Sequence, residues 1–178
     1  MKENFATALA AVLKHEGGWS DHPADPGGAT MRGVTKRTLE AHLGREVTKE
    51  ELRNISDAML SEIYRRRYWN AVRGDELPAG ADYVMFDCAV NSGPPRAIIF
   101  AQKVAGVAQD GVLGPKTMAA IRARCAKGAA AFIVEYSEER DAFLRRLSAF
   151  PVFCRGWVRR VDDVEKMAVR LSRGEEMA

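Results

Sequence analysis

Residues 15 to 35 read His-Glu-Gly-Gly-Trp-Ser-Asp-His-Pro-Ala-Asp-Pro-Gly-Gly-Ala-Thr-Met-Arg-Gly-Val-Thr, and they constrain the fold more than any other stretch. They follow an amphipathic run in which Phe5, Leu9, Val12 and Leu13 share one helical face. Gly17 and Gly18 come next, and glycine lets a helix end through a left-handed conformation, so Glu16 is expected on the last turn. A carboxylate there meets unpaired carbonyls and the negative end of the helix dipole. With an apolar neighbour such as Trp19 to exclude water, this is a setting in which a glutamate keeps a proton to donate, as a general acid must.

Asp25 stands nine residues further on, inside Pro23-Ala-Asp-Pro-Gly-Gly, where two prolines and two glycines exclude a helix and favour a turn or tight hairpin. Thr30 follows as that segment closes. A proton-donating Glu, an ionised Asp on a neighbouring loop and a nearby hydroxyl form the set that hydrolysis of a glycosidic bond needs. The acid protonates the leaving oxygen, while the second carboxylate activates water or stabilises an oxocarbenium-like transition state. Each residue also has an ordinary structural reading, as a helix-end glutamate or a turn aspartate, and spacing alone does not choose between the two.

The remainder of the chain reads as helices. Thr35 caps a short helix through Leu39 and Leu43 that ends at Gly44, and Thr48-Lys-Glu-Glu51 forms a capping box for a brief helix to about Arg53. Ser56 or Asp57 opens a longer helix with Leu60, Ile63, Tyr64 and Tyr68 on one side. Residues 79 to 92 are apolar around most of a helical circumference, so Asp87 and Asn91 need assigned partners. They either tie helices together or line a cleft and bind the acetamido or hydroxyl groups of a sugar. Gly93-Pro94-Pro95 marks a boundary, and Pro115 suits the first position of a further helix. A long helix from about Ala129 to Leu147 is expected to pair its Glu and Arg residues along the surface, and a last one runs from about Phe153 to Ser172. No alternating strand pattern stands out, apart from a small hairpin in Asp21 to Thr35, so the expected fold is mainly α-helical.

Composition narrows the function classes. The 178 residues are 47% apolar, enough for a core, and no apolar run approaches the roughly 18 residues of a membrane span. The net charge of +3 favours anionic partners, among which cell wall, nucleic acid and membrane surface all fit. Arg65, Arg66 and Arg67 are not continued by a second basic cluster, so a solvated face with one inward ion pair is expected and nucleic acid is not. Cys88, Cys125 and Cys154 are odd in number and widely spaced, which suits packing roles in a reducing compartment. His15 and His22 match no metal-ligand spacing, so no metal and no cofactor are expected. Met-Lys-Glu-Asn-Phe leads straight into a helix without an apolar core or cleavage site, so no conventional secretory signal is expected.

Glu16-Gly-Gly-Trp, His22-Pro-Ala-Asp-Pro-Gly-Gly-Ala-Thr and Gly33-Val-Thr together resemble the entry motif of glycoside hydrolase family 108, the phage-endolysin and secretion-activator muramidases. The Glu, Asp, Thr order also resembles the triad of phage-type lysozymes. This resemblance implies Glu16 as the acid, Asp25 as the second carboxylate and Thr30 as the hydroxyl that holds the attacking water. Trp19 stands where tyrosine is frequent and keeps an aromatic platform for a sugar; Met31 stands where asparagine is frequent and removes a polar contact. Phe86-Asp-Cys-Ala-Val-Asn-Ser-Gly93, Asp110-Gly-Val-Leu-Gly-Pro-Lys-Thr117 and Gly156-Trp-Val-Arg-Arg-Val161 are similar to the peptidoglycan-binding region that accompanies that family's catalytic segment.

The resemblance implies a lysozyme-like helical fold, with a catalytic domain at 1–93 and a helical peptidoglycan-binding-like region at 94–178 packed as one unit. It implies cleavage of the β-1,4 bond between N-acetylmuramic acid and N-acetylglucosamine, with Trp19, Asp87 and Asn91 as the expected sugar contacts. Two alternatives stay open, a lytic transglycosylase and a non-catalytic wall-binding or secretion-assisting protein. Bacterial peptidoglycan is the expected partner, without stable membrane insertion. The protein is expected to stay in the cytoplasm until a holin or an export system releases it to the periplasm or wall.

Overall fold

The structure is a computed structural model that describes residues 4–21 and 28–175. The described chain is mainly α, as expected: eight α-helices and three very short strands among the described residues. The helices are α1 (Asn4–His15), α2 (Lys36–Leu43), α3 (Lys49–Arg53), α4 (Asp57–Tyr64), α5 (Ala81–Ser92), α6 (Pro94–Ala105), α7 (Pro115–Leu144) and α8 (Phe150–Ser172). The chain forms two compact units, one of residues 9–67 and the other of residues 68–178 together with 1–8.

The first unit is built from local signals. Strands β1 (Trp19–Ser20), β2 (Thr30–Met31) and β3 (Val34–Thr35) form an antiparallel sheet in that order, a little more than the hairpin expected. Trp19 pairs with Met31 and Ser20 with Thr30; Met31 pairs with Val34 and Thr30 with Thr35. The two residues between β2 and β3, Arg32 at φ 48° and Gly33 at φ 78°, both take the positive φ of a tight hairpin turn whose twist matches the strands. Thr35 then caps α2 by accepting the Thr38 N–H, and Gly44 ends it at φ 69°. The capping box holds α3: Thr48 Oγ1 accepts from Glu51 N at 3.1 Å, and Glu51 Oε2 accepts from Thr48 N at 2.8 Å. Its Arg45 hydrogen bond, then the Thr48 N–H, bring the Glu51 carboxyl down to about 2. Ser56 caps α4. Val12, Leu39, Leu52, Leu60, Ile63 and Tyr64 supply the buried side chains.

The second unit starts where the helical pattern after Tyr64 changes. Residues Arg65–Trp69 widen into a π-helical turn rather than continuing α4. Trp69 is fully buried, lies edge-on to Phe5 and Phe86 at 5.3 and 5.4 Å, and donates its indole N–H to Asp75 at 2.9 Å. A Cβ on Gly74 would come within 2.4 Å of the Trp69 ring, so only glycine lets the chain turn there. Helix α5 is buried along most of its length, which agrees with its apolar circumference. Pro94 and Pro115 open α6 and α7 at the first turn, where a missing N–H costs nothing. The two helices expected on either side of residue 128 form one helix with a break at Gly128, and the last helix starts at Phe150 with Pro151 in its first turn.

Gln102 on α6 is fully buried and organises the loop before α7. Its amide nitrogen faces Asp110 Oδ1 at 2.6 Å, the Val112 carbonyl at 3.0 Å and Thr117 Oγ1 at 3.3 Å, while its oxygen accepts from Gly111 N at 2.9 Å.

Candidate active site

Helix α1 closes at His15, one residue earlier than expected, so Glu16 occupies the position just beyond the last turn. Its side chain is half-buried. The chain then passes through Gly17 and Gly18 into β1, and the Gly18 carbonyl accepts from Arg32 N at 3.3 Å, which ties this exit to the β2–β3 turn.

Gly33 shows what lies against that turn. A methyl group on its Cα would sit 2.2 Å from the Tyr64 hydroxyl oxygen and 2.9 Å from Glu16 Oε2. The carboxylate and the phenol therefore converge on one bare stretch of backbone, at a position that both its φ and its lack of space reserve for glycine. Tyr64 is buried, and its hydroxyl donates to the Arg32 carbonyl at 2.9 Å, so α4 is fastened to the turn that underlies Glu16. Tyr64 was legible in the sequence only as one more apolar residue on its helix. The signal for its second role was the glycine in a two-residue turn after a Thr-Met pair.

Thr30, on β2, donates its hydroxyl proton to the Gly28 carbonyl at 3.3 Å, which leaves the oxygen lone pairs to accept. Trp19 is half-buried, with the Arg53 guanidinium 5.6 Å over its ring. Met31 pairs across the sheet with Trp19. Asp25 lies outside the described residues. Asp21, before it, is held by Lys49, whose ammonium reaches both carboxylate oxygens at 2.9 and 3.0 Å.

Asp87 and Asn91 belong to the second unit and differ sharply in their surroundings. Asp87 is 0% exposed and Arg140 only 1%. Arg140 Nη1 donates to Asp87 Oδ1 at 2.7 Å, and Arg160 Nη2 donates to Oδ2 at 2.9 Å, so one carboxylate on α5 joins α7 and α8. Burial alone would push this carboxyl up, but the two guanidiniums outweigh it and hold it below the usual range. With no surface open to solvent, Asp87 does not present itself to a sugar in this arrangement; it is a tie between helices. Arg140, expected in surface pairs, is the buried partner. Asn91 is exposed, and its Oδ1 lies 3.4 Å from Arg140 Nη2 and accepts from Ser92 Oγ at 3.1 Å. Cys88 and Cys125 are buried, and all three cysteines are free. Among the described residues no group of His, Cys, Asp and Glu could hold a metal ion, and no helix is long and apolar enough to cross a membrane.

The family model described as "Glycosyl hydrolase 108" matches residues 9–93, and the one described as "Predicted Peptidoglycan domain" matches residues 96–162. No curated protein matches the chain. Among solved structures it is similar to one titled "Structure of Brucella abortus SagA", at 46% identity and a TM-score of 0.86, over 97% of this chain and 98% of that one. A match of that extent, together with the Glu16-Gly-Gly-Trp helix exit and the glycine turn against it, leads to one conclusion: the chain belongs to glycosyl hydrolase family 108 and is a glycoside hydrolase that acts on peptidoglycan.

Proposed function

We propose that the protein is an N-acetylmuramidase that hydrolyses the β-1,4 bond between N-acetylmuramic acid and N-acetylglucosamine, with Glu16 as general acid and Asp25 and Thr30 directing the water. The convergence of the Glu16 carboxylate and the Tyr64 hydroxyl on Gly33 carries this reading. A general acid must be held at one orientation to the leaving oxygen, and a misplacement on the order of 1 Å costs about 10²-fold in rate.

In the reaction, Glu16 gives its proton to the bridging oxygen as the bond to the anomeric carbon breaks. The water oxygen bonds to that carbon, and its proton passes to Asp25. The Thr30 hydroxyl, with its own proton directed at Gly28, accepts from the water and orients it. Trp19, with one face under Arg53, offers the other to a pyranose ring. Tyr64 is a positioning residue: it fixes the turn on which the acid rests. The distance between the two carboxyl groups sets the stereochemistry, about 6.5–9.5 Å for inversion and about 5–5.5 Å for retention. Before it reaches the wall, the protein is held in the cytoplasm until a holin or an export system releases it; cell fractionation with and without such a system tests this.

Glu16→Gln keeps the size of the side chain and removes the proton. Lysis of purified wall should drop by roughly 10²–10⁴-fold while the circular dichroism spectrum is unchanged. Near-normal lysis by that variant rejects the acid. Mass spectrometry of the muropeptides released by the wild type should find reducing N-acetylmuramic acid ends. A 1,6-anhydro end would instead assign a lytic transglycosylase, and no released ends at all would assign a binding protein.

A further inference from the structure

The start of α8 carries an apolar and cationic surface that contains none of the residues assigned above to the reaction. Residues 142–161 contain five arginines and no Asp or Glu. Arg160 turns inward to Asp87, while Arg145, Arg146, Arg155 and Arg159 are exposed. Beside them Val152 and Phe153 are 76% and 54% exposed, in a chain whose other large apolar residues are mostly covered. Phe153 stacks on Trp157 at 5.7 Å and an interplanar angle of 24°, and Phe150 lies 6.3 Å from the same indole, so the apolar tip is braced from behind. Alongside lies an open groove of about 540 Å³, lined by the apolar Phe150 and Val158, by Arg155 and Lys166, and by the carboxylates of Asp162 and Asp163.

We propose that this face docks the protein on an anionic phospholipid surface. Two properties must be matched together: a cluster in which cations outnumber carboxylates even though Arg145 pairs with Asp141 and Arg159 with Asp163, and protruding apolar tips that water disfavours. A glycan strand with acidic peptides could neutralise the arginines but offers no apolar phase to Val152 and Phe153. A second copy could cover the tips but would set arginines against arginines. An anionic bilayer matches both, with Val152 and Phe153 below the headgroups, Trp157 at their level and the guanidiniums on the phosphates. The binding is peripheral and reversible and is lost at high salt.

The test is co-sedimentation of the full-length protein with vesicles of phosphatidylcholine alone and of phosphatidylcholine mixed with phosphatidylglycerol. The wild type should pellet with the mixed vesicles at low salt and stay in solution with the neutral ones. Val152→Ser with Phe153→Ser should weaken that binding by roughly tenfold or more, as expected for apolar area left in water. Arg146→Glu with Arg155→Glu should abolish it. All four positions are exposed, so both pairs should keep the wild-type circular dichroism spectrum and turnover of soluble peptidoglycan fragments. Failure of the wild type to pellet with the mixed vesicles overturns the proposal, as does binding that survives both pairs. Two other results reassign the face and equally overturn it: retention on purified peptidoglycan that the serine pair abolishes, or a dimer in analytical ultracentrifugation that the pair dissociates.

Discussion

The two units are held together in opposite ways. In residues 9–67 many of the stabilising devices are short-range, a two-residue turn, a capping box and single-residue caps at Thr35 and Ser56, and the longer ties, such as Lys49 to Asp21, lie at the surface or, as with Tyr64 to Arg32, end on the turn itself. In residues 68–175 the decisive tie is long-range and dry, an aspartate that meets one arginine 53 residues away and another 73 residues away. Such a carboxylate is costly to bury and ruinous to orphan, so it specifies which helices meet. The first unit is thus free to place a reacting group on a turn, because its order is renewed every few residues. Stability is expected to reside in one and reactivity in the other.

The sharpest way to break that contrast is Asp87→Asn, which leaves two arginines facing a neutral amide. It should cost about 3–5 kcal/mol in denaturant unfolding, with turnover per folded molecule unchanged. A loss of turnover at full stability would show that the division is false. The pH dependence sharpens the point. Because the native carboxyl is held below its usual range, its contribution is complete above the unfolded value of about 3.9 and disappears as pH falls through the lower native value. The stability gap between wild type and Asp87→Asn should therefore close in acid.

In the first unit the expected losses fall on rate. Gly33→Ala must push aside both Tyr64 and Glu16, and kcat measured on folded protein should drop by roughly 10²-fold. Tyr64→Phe removes only the hydroxyl and its bond to the turn, so kcat should fall by up to about tenfold with KM nearly constant; a change confined to KM would remove Tyr64 from the acid's support. Smallest of all, Thr48→Ala breaks one half of a surface capping box and should cost about 1 kcal/mol in unfolding without a change in kcat.

The same contrast explains what could be read from the sequence. Caps at Thr35, Thr48 and Ser56, the stop at Gly44 and the proline start of α7 are relations among residues at most a few positions apart, and each is found where expected; Pro94, read only as a break, opens α6. Glu16 is displaced by a single position, from the last turn to the residue just beyond it. Arg140 was not legible in this way: within Glu-Glu-Arg-Asp its local neighbours suggest a surface pair, and only the fold brings it to Asp87. Asp87 itself was visible as a polar residue in need of a partner, but not which of two partners it would take. Tyr64 escaped because its hydroxyl bonds to a main-chain carbonyl, which no residue type announces. The π-helical turn at Arg65–Trp69 is unmarked by glycine or proline and had no local signal.

The amide of Gln102 has a further effect on the segment it serves. Residues 106–114 form a glycine-bearing loop of the sort that ordinarily exchanges its amide protons first and is cut first by proteases. One buried side chain from α6 satisfies the main-chain groups of both Gly111 and Val112, much as a neighbouring strand would. Gly111 should accordingly take up deuterium at a rate nearer that of a helix interior than that of a loop, and Gln102→Ala should turn the segment into the molecule's first point of proteolytic entry.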